Sequence, residues 1–143
     1  MDTHTWLWIT TRIERSDRLS PNRKGELAQA ATDLRLYASD ASVWELAMKQ
    51  SHGQLLAIGD LAGFLDEQSR GVGVHILPLS AEVIIASTRL PRWIRRDGRE
   101  HRDPADRFLV ATARIHALTL VTADEVILAY AKQGYLRAID ARA

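Results

Sequence analysis

Four acidic residues from separated parts of the sequence have the chemistry of a metal site: Asp2, Glu45, Asp106 and Asp124. Carboxylates about 5 Å apart repel by roughly 3 kcal/mol per pair at an effective dielectric of about 20, so a fold keeps such a cluster only with a compensating cation. Oxygen ligands suit Mg²⁺ or Mn²⁺, and these ions can activate water and stabilise the leaving oxygen of a phosphodiester. The predicted chemistry is therefore metal-dependent hydrolysis.

Each of these acids also has a purely structural interpretation. Asp106 and Asp124 stand where a carboxylate would cap a helix and complement its dipole. Glu45 could be a solvated helix position, although apolar residues flank it, and Asp2 could belong to a frayed terminus. Asp103 is predicted to be a helix N-cap, with a role near the metal as the alternative. Spacing alone leaves these alternatives open.

Predicted elements place the acids at one edge of a sheet. Capping residues followed by proline open two helices, at Ser20-Pro21 and at Asp103-Pro104. Helices are predicted at 21–33, 41–52, 61–71, 81–90, 104–116 and 124–132, and strands at 34–38, 72–79, 118–122 and 135–139. Asp40 is expected to cap the helix that starts at Ala41. This alternation favours an α/β fold of three α/β/α layers with a mostly parallel central sheet, whose sites gather at the carboxyl ends of the strands.

Composition limits the class of protein further. The 143 residues fit a single domain, 1–143, without repeats or a Gly/Ser linker. The chain has no cysteine, which excludes disulfides and thiolate metal sites. The five histidines show no metal-ligand spacing. No apolar run is long enough for a membrane span and no signal segment is recognisable, so a cytoplasmic protein without a membrane partner is expected.

The acids lie in short sequence motifs that resemble those of a known family. The motifs are DTHTWLW at 2–8, SVWELAMK at 42–49, HRDPADRFLVATA at 101–113 and LVTADEVI at 120–127. Their order and separations, over nearly the whole chain, resemble PIN-domain proteins of the VapC type. Those proteins are the ribonuclease toxins of bacterial type II toxin-antitoxin pairs.

The resemblance implies roles for individual residues. The family's metal-binding and catalytic acids fall on Asp2, Glu45, Asp106 and Asp124. Asp103 matches an additional acid of the metal site, and Thr3 and Thr122 match hydroxyl residues that line it. The implied activity is that of a Mg²⁺-dependent endoribonuclease, with Mn²⁺ as a substitute ion. The implied partners are RNA, a cognate antitoxin that docks across the site, and a second copy of the chain in a homodimer.

The N-terminus departs from the family pattern. Similar proteins carry a few apolar residues before the first aspartate, which form the central strand, whereas only Met1 precedes Asp2 here. A truncated first strand is therefore expected, together with a poorly anchored Asp2. Two explanations are a true start upstream of Met1 or an impaired protein. The alternative function is accordingly a PIN-like module that binds antitoxin and RNA without cleaving it.

Arginines are frequent in the stretch 89–107, which is predicted to be an irregular loop that leads into Asp103 and the third acid, Asp106. Such a loop could contact phosphates and stack a base. The RNA-binding candidates are Arg95, Arg96, Arg99 and Trp93. The alternative is a solvated loop whose arginines pair with Asp97 and Glu100.

Two other enzyme classes fit the sequence poorly. A phospho-acceptor receiver domain needs a lysine close to its last strands, but none of the lysines, Lys24, Lys49 and Lys132, directly follows a predicted strand. An aspartyl-phosphate phosphatase needs an Asp-x-Asp pair, whereas Asp2 is followed by Thr3 and His4.

Overall fold

Helices and strands alternate along the computed structural model, which describes residues 1–10, 18–55 and 58–143. The helices are Thr3–Thr10 (α1), Pro21–Thr32 (α2), Asp40–Ser51 (α3), Leu61–Asp66 (α4), Ala81–Thr88 (α5), Pro104–Ile115 (α6) and Glu125–Ala131 (α7), and α4 continues into a π-helical turn, Glu67–Val72. The strands are Leu36–Ser39 (β1), Val74–Leu77 (β2), Leu120–Thr122 (β3) and Ala138–Asp140 (β4). The predicted three-layer α/β/α fold is confirmed.

Helix starts follow the capping residues in the sequence. Ser20 accepts a hydrogen bond from Arg23 N at 3.1 Å, and Asp103 accepts one from Asp106 N at 3.1 Å, so both predicted helix starts are confirmed. The prediction for Asp40 is wrong. It is the first residue of α3, and the cap is Ser39, whose hydroxyl accepts from Ala41 N at 3.1 Å.

The strands form two parallel pairs, β1 with β2 and β3 with β4. Met1 and Asp2 connect β1 with β3. The Met1 ammonium donates to Tyr37 O at 2.9 Å, and Asp2 N donates to Val121 O at 3.0 Å. Met1 and Asp2 therefore bridge β1 and β3 through their backbone nitrogens.

A cavity of about 540 Å³ extends from Met1 between β1 and β3. Its walls include Leu36 and Leu120 from the two strands, Leu27 from α2 and Ala113 from α6. Burial lowers the pKa of the Met1 ammonium to about 6, and the neighbouring Asp2 charge only partly opposes this effect. We call this cavity the strand slot, because it lies between two strand edges and two helices.

The hydrophobic core has two parts. One part surrounds Trp6, which is fully buried and donates through Nε1 to Gln68 Oε1 at 2.9 Å. The other surrounds Trp93, Val110 and Tyr130. No helix among the described residues has the length and apolar character needed to cross a bilayer.

Candidate active site

The four acids from distant parts of the chain line one cavity of about 230 Å³: Asp2, Glu45, Asp106 and Asp124. Asp2 precedes α1, Glu45 lies in α3, Asp106 lies in the first turn of α6, and Asp124 precedes α7. Thr3 shares this lining. The fold therefore brings together the acids that the sequence separates by as many as 122 positions.

Asp2 is firmly held, so the prediction of a poorly anchored or frayed residue is wrong. It is only 5% exposed. Its Oδ1 accepts from Thr5 N at 2.7 Å, and its Oδ2 accepts from the Thr122 hydroxyl. Thr122 in turn accepts from Asp124 N at 3.0 Å, which links the first and last acids of the site. These bonds fix both oxygens of the Asp2 carboxylate.

Glu45 is half-buried on α3, and α1 holds its side chain. The Thr3 hydroxyl donates to Glu45 Oε2 and lies 2.8 Å from Ser42 Oγ. Ser42 was not predicted to belong to the site, although it lies one helical turn before Glu45 and such residues share a helix face. Thr3 and Thr122 thus each hold one carboxylate.

Asp124 and Asp103 both cap helices. Asp124 Oδ1 accepts from Val126 N at 2.7 Å and from Ile127 N at 3.1 Å. Asp124 therefore caps α7 and also lines the site. Asp103 is an exposed N-cap of α6, as predicted, and is close enough for its charge to act on Asp106.

Asp106 lies at the electrostatic centre of the cluster. Burial, the largest cause, and the negative charges of the other acids, first Asp103, then Asp124, Glu45 and Asp2, together raise its pKa to about 7. These charges repel an additional negative charge on Asp106. Asp106 is consequently the acid whose ionisation gains most from a nearby cation.

His101 contacts Asp106 although no site role was predicted for it. Its Nε2 lies 2.8 Å from Asp106 Oδ2, and the residue is 6% exposed. Burial is the main cause that lowers the His101 pKa. The signal in the sequence was the position of His101 just before the Asp103-Pro104 helix start, since a residue there can face the first turn of the helix.

Trp93 is not available to stack an RNA base, so this part of the prediction is wrong. It is 1% exposed and packs against His101 and Tyr130, with ring centroids 4.3 Å apart in both pairs. The surrounding arginines suggested an exposed loop. Its partners are His101, eight positions later, and Tyr130, 37 positions later, and these contacts bury the Trp93 ring.

The arginines of the same stretch divide into exposed and structural side chains. The exposed RNA-binding candidates are Arg95, Arg96 and Arg99. Arg95 Nε lies 3.8 Å from Asp97 Oδ2, a long ion pair at the surface. Arg107 instead donates to the carbonyl oxygens of Ser87 and His101, both at 3.0 Å.

The donor set fits a hard divalent cation. Three carboxylate oxygens accept no hydrogen bond from the described residues: Glu45 Oε1, Asp106 Oδ1 and Asp124 Oδ2. Over the described ranges, no three acidic or histidine side chains already stand close enough to form a complete ligand set. All-oxygen ligation suits Mg²⁺ or Mn²⁺.

The family model of the PIN domain matches residues 1–133. A search of curated proteins finds no match to the chain.

Proposed function

The chain belongs to the PIN domain family, and on this basis we propose that it is a Mg²⁺-dependent endoribonuclease. PIN domains are generally metal-dependent nucleases. One observation carries the proposal: four acids from four parts of the fold line a single cavity, and the pKa of the central one, Asp106, is raised to about 7. An acidic cluster of this kind suits a divalent cation more than it suits a purely structural role.

The hydrogen bonds of the four acids indicate different roles among them. Glu45, Asp106 and Asp124 would hold the cation through the oxygens that the described residues leave unbonded. Asp2 uses both oxygens within the protein, so it adds negative charge and orients Thr122. A bound Mg²⁺ or Mn²⁺ supplies Lewis-acid activation of water and neutralises charge on the phosphate.

RNA would reach the acids across the arginine-rich loop before α6. Arg95, Arg96 and Arg99 are exposed, and the loop leads directly into Asp103. Exposed guanidinium groups bind phosphates with little dependence on base sequence. The loop therefore supports substrate binding, and choice of cleavage site would need other contacts.

We further propose that the protein is a cytoplasmic toxin of the VapC type, with an antitoxin and a second copy of itself as partners. Trp44 and Met48 support an antitoxin, because they are 55% and 41% exposed one turn apart on the helix that carries Glu45. Ile84 and Ile85, exposed on α5, support a homodimer. Exposed large apolar side chains of this kind often mark protein contacts.

Purified protein freed of partners tests the nuclease proposal. It should cleave RNA with Mg²⁺ or Mn²⁺, should stop when EDTA is added, and should leave DNA of the same sequence intact. Glu45→Gln should abolish cleavage, whereas Asp66→Asn, which removes an exposed carboxylate paired with Arg70, should not. RNA binding without cleavage would support the alternative of a non-cleaving module. Relief of growth inhibition by the adjacent gene tests the toxin role.

A further inference from the structure

His101 packs against one end of a buried aromatic stack, which restricts the orientation of its ring. Its imidazole packs on Trp93 with centroids 4.3 Å apart, and Trp93 stacks on Tyr130 at 4.3 Å with an interplanar angle of 17°. The Tyr130 hydroxyl donates to Pro91 O at 2.8 Å. All three rings are buried. Rotation of the imidazole would therefore require the whole stack to move.

The backbone of His101 is fixed as well. His101 N donates to Trp93 O at 2.8 Å, and Arg107 Nη1 donates to His101 O at 3.0 Å. Arg107 belongs to α6 and lies next to Asp106. The ring and the acid that it contacts are consequently tied to the same helix turn.

The hydrogen-bonding of the two ring nitrogens indicates the direction of the contact with Asp106. Nδ1 of His101 is buried and has no partner among the described residues, while Nε2 lies 2.8 Å from Asp106 Oδ2. Unpaired buried N–H donors are rarer than unpaired acceptors. The tautomer with its proton on Nε2 leaves only a lone pair unsatisfied, so Nε2–H donates to Asp106 Oδ2.

We propose that His101 is the positioning residue that holds Asp106 in the orientation required for the cation. The proposal rests on the proposed function. Asp106 stands among like charges that would otherwise drive its carboxylate away from the cluster. Because the buried imidazole holds Oδ2 of Asp106, Oδ1 remains available to bind the ion. Hydrogen-bond partners of metal ligands typically affect metal affinity or activity by 10- to 100-fold.

Two substitutions separate positioning from packing. His101→Leu keeps an apolar side chain against Trp93 but removes the hydrogen-bond donor to Asp106. His101→Gln keeps an N–H donor at similar reach. The control is His116→Leu, since His116 is exposed at the opposite end of α6. Each protein is titrated with Mn²⁺ by calorimetry and assayed for RNA cleavage, and its Tm is measured.

His101→Leu should weaken Mn²⁺ binding by about 10- to 100-fold, lower kcat and leave KM for RNA unchanged. His101→Gln should recover most of the affinity, and His116→Leu should match the wild type. Wild-type Mn²⁺ affinity in a folded His101→Leu protein, or an equal loss in both His101 variants, would overturn the positioning role. Wild-type protein that neither binds Mn²⁺ nor cleaves RNA would overturn the proposed function itself.

A measurement on the unmodified protein keeps the proposal testable if His101→Leu does not fold. Nitrogen-15 NMR of the imidazole should show the proton of His101 on Nε2 and a bare Nδ1. The opposite tautomer would remove the donor that the proposal requires.

Discussion

Replacing Asp106 with asparagine should stabilise the metal-free protein, most strongly above neutral pH. The side-chain amide resembles a carboxyl group without charge, and its oxygen can still accept from His101 Nε2. In the wild type the pKa of Asp106 is raised from 3.8 to about 7. Between these values the folded protein holds more protons than the unfolded chain, so wild-type stability falls as the pH rises from about 4 to about 7. The Asp106→Asn variant cannot ionise at this position, so its stability does not fall for this reason as the pH rises.

The size of the effect follows from the pKa shift. The rise in the Asp106 pKa from 3.8 to about 7 corresponds to about 4 kcal/mol. The Asp106 side chain is 23% exposed, so solvent screening reduces this figure, and about 2 kcal/mol is a reasonable expectation. For a chain of this size, 2 kcal/mol raises Tm by roughly 6–8 °C.

Thermal unfolding in EDTA at several pH values between 4 and 8 measures this difference. The Tm advantage of Asp106→Asn over the wild type should grow with pH and level off above about 7. Added Mg²⁺ should narrow the gap, because a cation that binds the folded wild type stabilises it. The control Asp66→Asn should follow the wild type at every pH. An Asp106→Asn protein no more stable than the wild type at pH 8 would refute the electrostatic account of the cluster.

Two further predictions concern the surface and the strand slot. Replacing Arg95, Arg96 and Arg99 together with alanine should weaken RNA binding and reduce the slope of log affinity against log salt by about 2, at roughly 0.7 per lost phosphate contact; Arg70→Ala serves as the control, and an unchanged slope would exclude the loop from the interface. The second change is a designed extension of four apolar β-branched residues before Met1, which replaces the buried ammonium with an amide and fills the strand slot. It should raise the free energy of unfolding by on the order of 2 kcal/mol. Urea unfolding measures this, and an unchanged midpoint would show that the slot does not accept a strand.

Local signals in the sequence predicted the helix starts well. Ser20-Pro21 and Asp103-Pro104 combine a capping side chain with a residue that favours the first helical turn, and both depend on contacts within a few residues. Strand limits were predicted less well. The strand expected at 118–122 begins at Leu120, since Leu118 N donates to Ala113 O of α6 at 2.8 Å rather than to a strand.

Contacts across long sequence distances account for the remaining errors. Asp2 is anchored by Thr122, 120 residues away, which no local pattern reveals. Trp93 stands among arginines but packs against Tyr130, so its neighbours in sequence misrepresent its environment. In each case tertiary packing, rather than composition or periodicity, determines the role.

Anomalous diffraction from crystals soaked in Mn²⁺ tests the central claim most directly. We expect a Mn²⁺ peak within ligand distance of Glu45, Asp106 and Asp124, with the oxygens that now accept no hydrogen bond from the described residues turned toward it. The peak should be lost in crystals of Asp106→Asn. A Mn²⁺ ion bound elsewhere on the protein, or well-diffracting crystals with no peak among these carboxylates, would contradict the four-acid metal site.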